Sequence, residues 1–334
     1  MLVTVDTYGC SLGKKSERLV VRTRDGERKE QPFFDVEQVL ISSNGVSISS
    51  DAIKECMERG IQIIFANRNG QPYGIISSPE MNGSIKTRRE QLAAYNDRRG
   101  LQFVKASADA KLANQSNTLK YFLKSRKDDK ELTAACVPLI RAIGQLRKQL
   151  ADVAGECVDE ARESIMTLEA QAGRNYWSGV GLLLPSDLSF SRREHQGTDN
   201  VVNMLLNYGY GILYSKVWSA LVLAGLDPYG GFLHVDRPGK PSLVYDFVEE
   251  FRQPLVDRAV LAALLRGYRP NVEGDFLDLP SRRDVADRIR SRLENTDSYN
   301  RRNRKLQHII VAQARHLAAT LRGEGTYKGF VAKW

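Results

Sequence analysis

The residues best suited to chemistry lie between Asp227 and Arg258, in the stretch DPYGGFLHVDRPGKPSLVYDFVEEFRQPLVDR. His234 falls in a turn-rich loop there, and Asp246 and Glu249 follow, three residues apart, in a segment of helical character. On a helix that spacing brings both carboxylates to one face. Leu243, Phe247, Val248 and Phe251 give the same segment an apolar face, so it can seat itself in a core and still present acids. An imidazole with clustered carboxylates is a mixed nitrogen and oxygen donor set. It suits a divalent cation such as Mg or Mn better than structural zinc.

A further acid stands far upstream. Residues 156–178 read as a helix in which Glu169 is followed by Ala170, Ala172 and Gly173. Small neighbours let another backbone come close, so Glu169 can face a helix junction, although a lone helical Glu is more often simply exposed. Glu250 adjoins Glu249, but successive helical residues point about 100° apart, so one of the two shares the Asp246 face. Asp236 is close enough in sequence to orient His234, with loop capping as its better-supported role. In the loop LPSDLSFSRREHQGTDN, Arg192, Arg193 and His195 precede a helix cap at Asp199 or Asn200. His308 and His316 have no acidic partners nearby in sequence, which favours phosphate contact or exposure over ligation.

These side chains need a scaffold, and the chain divides into two kinds of sequence. Residues 1–80 carry short β-branched runs, at Leu2–Val5, Leu19–Arg22, Val39–Ile41, Val46–Ile48 and Ile61–Phe65. Turn dipeptides Asp25-Gly26, Asn44-Gly45 and Asn69-Gly70 separate them. One short helix is expected inside this β-rich domain, capped by Ser50 and ended by Gly60. Catalytic residue types do not gather there, so packing, dimerisation or partner docking is its expected role. Pro79 and Gly83 mark a linker at residues 81–86. Residues 87–334 then show helical periodicity, as in Leu139, Ile143, Leu146, Leu150 and Val153, and form a larger, almost wholly α-helical catalytic domain. The segment from Val201 to Leu226, apolar and aromatic with Gly209 and Gly211, reads as its central helix, with Tyr and Trp there for packing. The fold class is α+β.

At 334 residues the chain can bury a substantial core, and its net charge of +9 favours a polyanionic partner, nucleic acid above all. Lys105, Lys111, Lys120, Lys124, Arg126 and Lys127 fall on helices that could follow a phosphate backbone or simply face water. Residues 298–322 hold Arg301, Arg302, Arg304, Lys305, Arg315 and Arg322 without one acid, which favours the nucleic-acid reading. Cys10, Cys56, Cys136 and Cys157 form no CxxC pair and read as free thiols of a reducing compartment. No leader or membrane-spanning run is visible, so a cytoplasmic protein without membrane attachment is expected.

In order along the chain, LEAQAGRNYW around Glu169, the run from FSRREHQG through NYGYGILYSKVWSALVLAGLDPYGGFLH to His234, and PSLVYDFVEEFRQPLVDR together resemble the CRISPR-associated spacer integrases. The resemblance implies a β domain joined to an α domain and a metal-dependent DNA endonuclease and integrase. It places a metal-binding glutamate on Glu169, the histidine on His234 and the last acidic ligand on Glu249, where some relatives have Asp. Asp246 matches a second acid beside the metal, completing a catalytic set of Glu169, His234, Asp246 and Glu249. The loop around Glu194, His195 and Gln196 departs from the family pattern. The implied cofactor is Mg or Mn. The implied partners are duplex, branched and protospacer DNA, a second copy in a homodimer and a small companion subunit. The residues by themselves also fit a basic architectural DNA-binding protein or a metallohydrolase of small phosphate esters.

Overall fold

The computed structural model describes residues 1–68, 70, 72–78, 85–194 and 198–333. Asn69, residues 81–84 of the expected linker, and His195 lie outside the described residues.

The N-terminal part packs two four-stranded sheets. Strands β1 (Leu2–Val5), β5 (Gln38–Ile41) and β7 (Gln62–Ala66) are parallel neighbours, with β8 (Pro72–Ile76) antiparallel on β7. Residues 38–41 are buried throughout, as expected of an internal parallel strand covered on both faces. The second sheet runs β4 (Arg28–Pro32), β3 (Arg18–Arg22), β2 (Ser11–Lys15), β6 (Ser47–Ile48). Between them Val5, Leu12, Leu19, Phe33, Val39, Ile41, Cys56 and Ile63 form a core of their own. Helix α1 (Ser50–Glu58) is capped one residue earlier than the sequence suggests: Ser49, not Ser50, accepts from the Ala52 N–H. Strands β2 and β4 escape a reading based on apolar runs, because SLGKK and RKEQP hold their places by pairing with β3.

The rest is predominantly helical: α2 (Ile85–Ala94), α3 (Arg98–Lys124), α4 (Lys130–Asp152), α5 (Val158–Leu183), α6 (Val201–Leu223), α7 (Ser242–Val248), α8 (Arg258–Leu265), α9 (Leu279–Glu294) and α10 (Leu306–Leu321). Two small hairpins interrupt it, β9 (Val272–Glu273) with β10 (Phe276–Leu277), and β11 (Thr296–Tyr299) with β12 (Arg302–Lys305). Helices α3, α4 and α5 pack on one another, while α6 is apolar almost all round and is correspondingly buried. Asn200 caps α6 through the Val202 and Asn203 N–H groups.

Helix α6 also docks the β part. Gln38 donates to the Ser215 carbonyl and the Ser219 hydroxyl, and Ser219 donates to Gln62. A Cβ on Gly211 would lie 2.2 Å from the Gly70 carbonyl oxygen, so the two backbones meet where a side chain has no room. Among the described residues no helix is long and apolar enough to cross a membrane. All four cysteines are free, three of them buried.

Candidate metal centre

Helices α3, α5 and α7 and the loop before α7 converge on one place, and each supplies a residue to it. The loop carrying His234 is tied down from three sides. From α2, Gln91 donates to the Asp227 and Gly230 carbonyls and accepts from the Asp227 N–H. From α5, Arg162 donates to the Leu233 carbonyl. From α7, Asp246 accepts the N–H groups of Phe232 (2.6 Å), Leu233 (3.0 Å) and His234 (3.0 Å). The same carboxylate lies 2.6 Å from His234 Nδ1. With Nδ1–H donated to Asp246, the lone pair of the neutral ring sits on Nε2. Asp246 is buried and holds the imidazole through this contact, whereas Asp236 is exposed.

The two glutamates meet across a lysine. Lys111 on α3 places its ammonium 3.0 Å from Glu249 and 3.5 Å from Glu169 on α5. Arg252, one turn past Glu249, sits 3.1 Å from its other oxygen. Burial works against ionisation of Glu249, but the charges of Arg252 and Lys111 outweigh it and hold the carboxyl at about 2. Glu169 is raised: burial dominates, and Lys111 offsets it only in part. Burial lowers the His234 pKa, but the Asp246 hydrogen bond and the surrounding carboxylates win and leave it raised.

Among the described residues no three acid, imidazole or thiol side chains close tightly enough to grip an ion as they stand. Even so, the donors fit one. Two carboxylates, Glu249 buried and Glu169 nearly so, already share a cation, the Lys111 ammonium, in the gap between them. Glu249 Oε2 is buried and faces the Lys111 ammonium, and His234 offers Nε2 beside them. Oxygen and imidazole donors of this kind suit Mg or Mn.

A groove of about 1650 Å³ lies between the β part, α6 and the start of α7. Arg68, Arg88, Arg193 and Lys240 line it with Tyr73, Tyr214, Trp218, Tyr229 and Tyr245. Tyr245, in the wall of the groove, has its ring 5.8 Å from the His234 ring. Tyr214 and Trp218 on α6 therefore show part of their rings to the groove, in addition to the packing expected of them. Arg193 is held by Asn203 and Asn207 and lies over the Tyr210 ring, while Asp257 accepts from the hydroxyls of Tyr176 and Tyr210 beneath.

Three expectations about basic residues need correction. Lys105 donates to the Ala151 and Val153 carbonyls at the end of α4, and Arg126 to the Leu183 carbonyl, so neither faces a phosphate row. Lys111 lies inside the candidate centre, where no surface reading of a helical lysine would put it. Arg301, Arg302, Arg304 and Lys305 sit on the β11–β12 hairpin and its turn, not on a helix, with β12 exposed along its length. The sequence reading also missed Arg252, although its place one helical turn beyond Glu249 was a visible signal. Glu250 points away from Glu249, into a separate buried network.

A family model described as CRISPR associated protein Cas1 matches residues 3–317. The curated CRISPR-associated endonuclease Cas1 1 of Archaeoglobus fulgidus is 36% identical over 348 aligned positions, covering all of both chains. A protein of that name from Francisella tularensis subsp. novicida is 32% identical, covering 99% of this chain and 98% of its own. Among solved structures, a casposase bound to integration product superposes with a TM-score of 0.81 at 22% identity, covering 98% and 92% of the two chains. A CAS1 protein from Thermotoga maritima superposes at 0.75 and 22%, covering 99% and 100%.

Proposed function

The chain belongs to the Cas1 family of CRISPR-associated proteins, and on that footing we propose that it is a divalent-metal-dependent DNA endonuclease and strand transferase. It inserts short foreign DNA fragments into a CRISPR array. Glu169, His234 and Glu249 hold the cation, Mg or Mn, and Asp246 positions His234. Residues 1–80 serve dimerisation and docking of a small companion subunit, residues 81–86, the last two of which already belong to α2, join the parts, and residues 87–334 carry the chemistry. The observation that supports this most is an imidazole anchored through Nδ1 to Asp246, near two carboxylates that share a cation, with a groove of basic and aromatic side chains alongside.

When bound, the ion polarises the scissile phosphoryl group and relieves charge on the attacking or departing oxygen. The protein prepares for it. Asp246 keeps the ring proton on Nδ1 and so keeps Nε2 available. Arg252 and Lys111 keep Glu249 anionic. Burial works against ionisation of Glu169 while Lys111 favours it, and the place of the Lys111 ammonium is the one a divalent ion held by the two glutamates would take. Lysine and arginine along the groove hold the strand by its phosphates, with affinity that falls as salt rises.

A strand-transfer assay tests the proposal, using a supercoiled plasmid with a repeat array, short duplexes bearing 3′-hydroxyl ends, Mg or Mn, and the chain with and without its companion subunit. Metal-dependent joined products that vanish in Glu169→Ala, His234→Ala and Glu249→Ala are expected. Tight DNA binding without any metal-dependent product would make the chain an architectural binder instead.

A further inference from the structure

The segment after α10, residues 322–333, lies against the element that carries Glu249, with Tyr327, Phe330 and Ala332 buried. Helix α7 stops at Val248, and a π-helical segment, Arg252–Asp257, begins three residues beyond Glu249. Pro254 has no N–H to give the Glu250 carbonyl four residues back. Asn114 of α3 donates to that carbonyl instead, at 3.0 Å. The chain is therefore broken directly after a candidate ligand, and side-chain contacts repair the break. π-Helical turns are frequent at functional sites.

The C-terminal segment completes the repair. The Glu250 carboxylate is fully buried and accepts the Tyr327 hydroxyl at 2.5 Å, the Phe330 N–H at 2.6 Å and the Gln313 amide at 2.9 Å. Asn114, three residues past Lys111, also donates to the Phe330 carbonyl and accepts from the Ala332 N–H. The Phe330 ring stacks on Phe251, with centroids 5.7 Å apart. Gly329 lies so close to α3 that a Cβ there would be 2.5 Å from the Ala106 carbonyl oxygen and 2.6 Å from Ala110 Cβ. One strap thus joins α3, the helix of Lys111, to the side chains of the two residues that follow Glu249.

We propose that residues 326–332 form a latch that sets the Glu249 carboxylate, with Glu250 as a positioning residue for the metal centre. This rests on the reading of Glu249 as a cation ligand. A latch of this kind acts through metal affinity, because its contacts are with Glu250, Phe251 and α3 and so bear on the placing of Glu249. Partners that orient ligands are typically worth about 10–100-fold in metal affinity when removed.

Two independent lesions test it in the full chain. Glu250→Gln turns an amide N–H toward donors, and Gly329→Ala lifts the strap from α3 without altering Glu250. Free Mn2+ is titrated by electron paramagnetic resonance against the parent, both variants and Glu249→Ala, with thermal melting to confirm folding. Both variants are expected to bind Mn2+ about 10–100-fold more weakly while staying folded, and strand transfer should recover at high Mn2+. Parent-like Mn2+ affinity in both folded variants, with Glu249→Ala impaired, overturns the latch alone. Parent-like affinity in Glu249→Ala overturns the ligand assignment and the latch together. If Glu250→Gln does not fold, Gly329→Ala decides.

Discussion

Replacing Asp246 with Asn would change a single atom and reverse the logic of the histidine beside it. Each Asp246 oxygen faces two donors: Oδ2 accepts the Phe232 and Leu233 N–H groups, and Oδ1 accepts the His234 N–H and faces His234 Nδ1. An amide nitrogen in place of Oδ2 would leave two backbone N–H groups unpaired. In place of Oδ1 it would leave one, because Nδ1 can switch from donor to acceptor. The second arrangement is favoured, at about 1–3 kcal/mol of stability for the orphaned N–H. It moves the ring proton to Nε2, which then donates and cannot bind a cation. Asp246→Asn should therefore weaken Mn2+ binding at least 10–100-fold. Nitrogen-15 spectra of the labelled imidazole should report Nε2–H where the parent has Nδ1–H. An Asn variant that keeps Nδ1–H and holds Mn2+ within about threefold of the parent would refute the role given to Asp246.

Three further perturbations test other parts of the account. Lys111→Met removes the cation between Glu169 and Glu249, costing the metal-free protein up to about 3–5 kcal/mol; Mn2+ should raise its melting temperature more than the parent's, and an equal rise would show that the ammonium and the metal do not share a place. Lys216 is lowered by burial from the ordinary 10.5 to about 8, with Glu37 and Glu294 offsetting and Arg290 adding to the effect. Since the unfolded chain then holds more protons between those values, stability should rise with pH from about 8 upward. Lys216→Met should be more stable than the parent at pH 7 by roughly 1–3 kcal/mol, with an advantage that shrinks by pH 10; denaturant titrations showing a constant advantage would contradict this. Gly211→Ala drives a methyl into the Gly70 backbone and should cost about 1–3 kcal/mol or more, seen as a lower melting temperature and faster proteolysis between the β and α parts.

Much of the candidate centre was legible because its residues sit in patterned sequence. Asp246 and Glu249 stand three apart on a helix whose apolar face is plain, and His234 stands in a Gly-rich loop that only a tightly packed turn would require. Glu169 was legible through its small neighbours and the family resemblance. What was not legible depended on three-dimensional partners. Lys111 looks like any helical lysine until α5 and α7 bring two carboxylates to it. Strand β4, RKEQP, has no apolar alternation, since its pairing with β3 and not burial holds it. The basic run at residues 301–305 reads as part of a helix because charge carries no period, and the positive φ angles of Asn300 and Arg301 that turn it into a hairpin have no glycine to announce them. The strap of Tyr327 and Phe330 has aromatic residues without periodicity, and its anchor, Glu250, sits seventy-odd residues away, beyond the reach of local pattern.

The account turns on three side chains holding one divalent ion. Crystals grown with Mn2+ and measured at a wavelength where manganese scatters anomalously would locate it directly. An anomalous peak bounded by Glu169, His234 Nε2 and Glu249, with the Lys111 ammonium displaced, is the expected result. A protein active in strand transfer whose manganese lies elsewhere, with Lys111 still bridging the two glutamates, would contradict it.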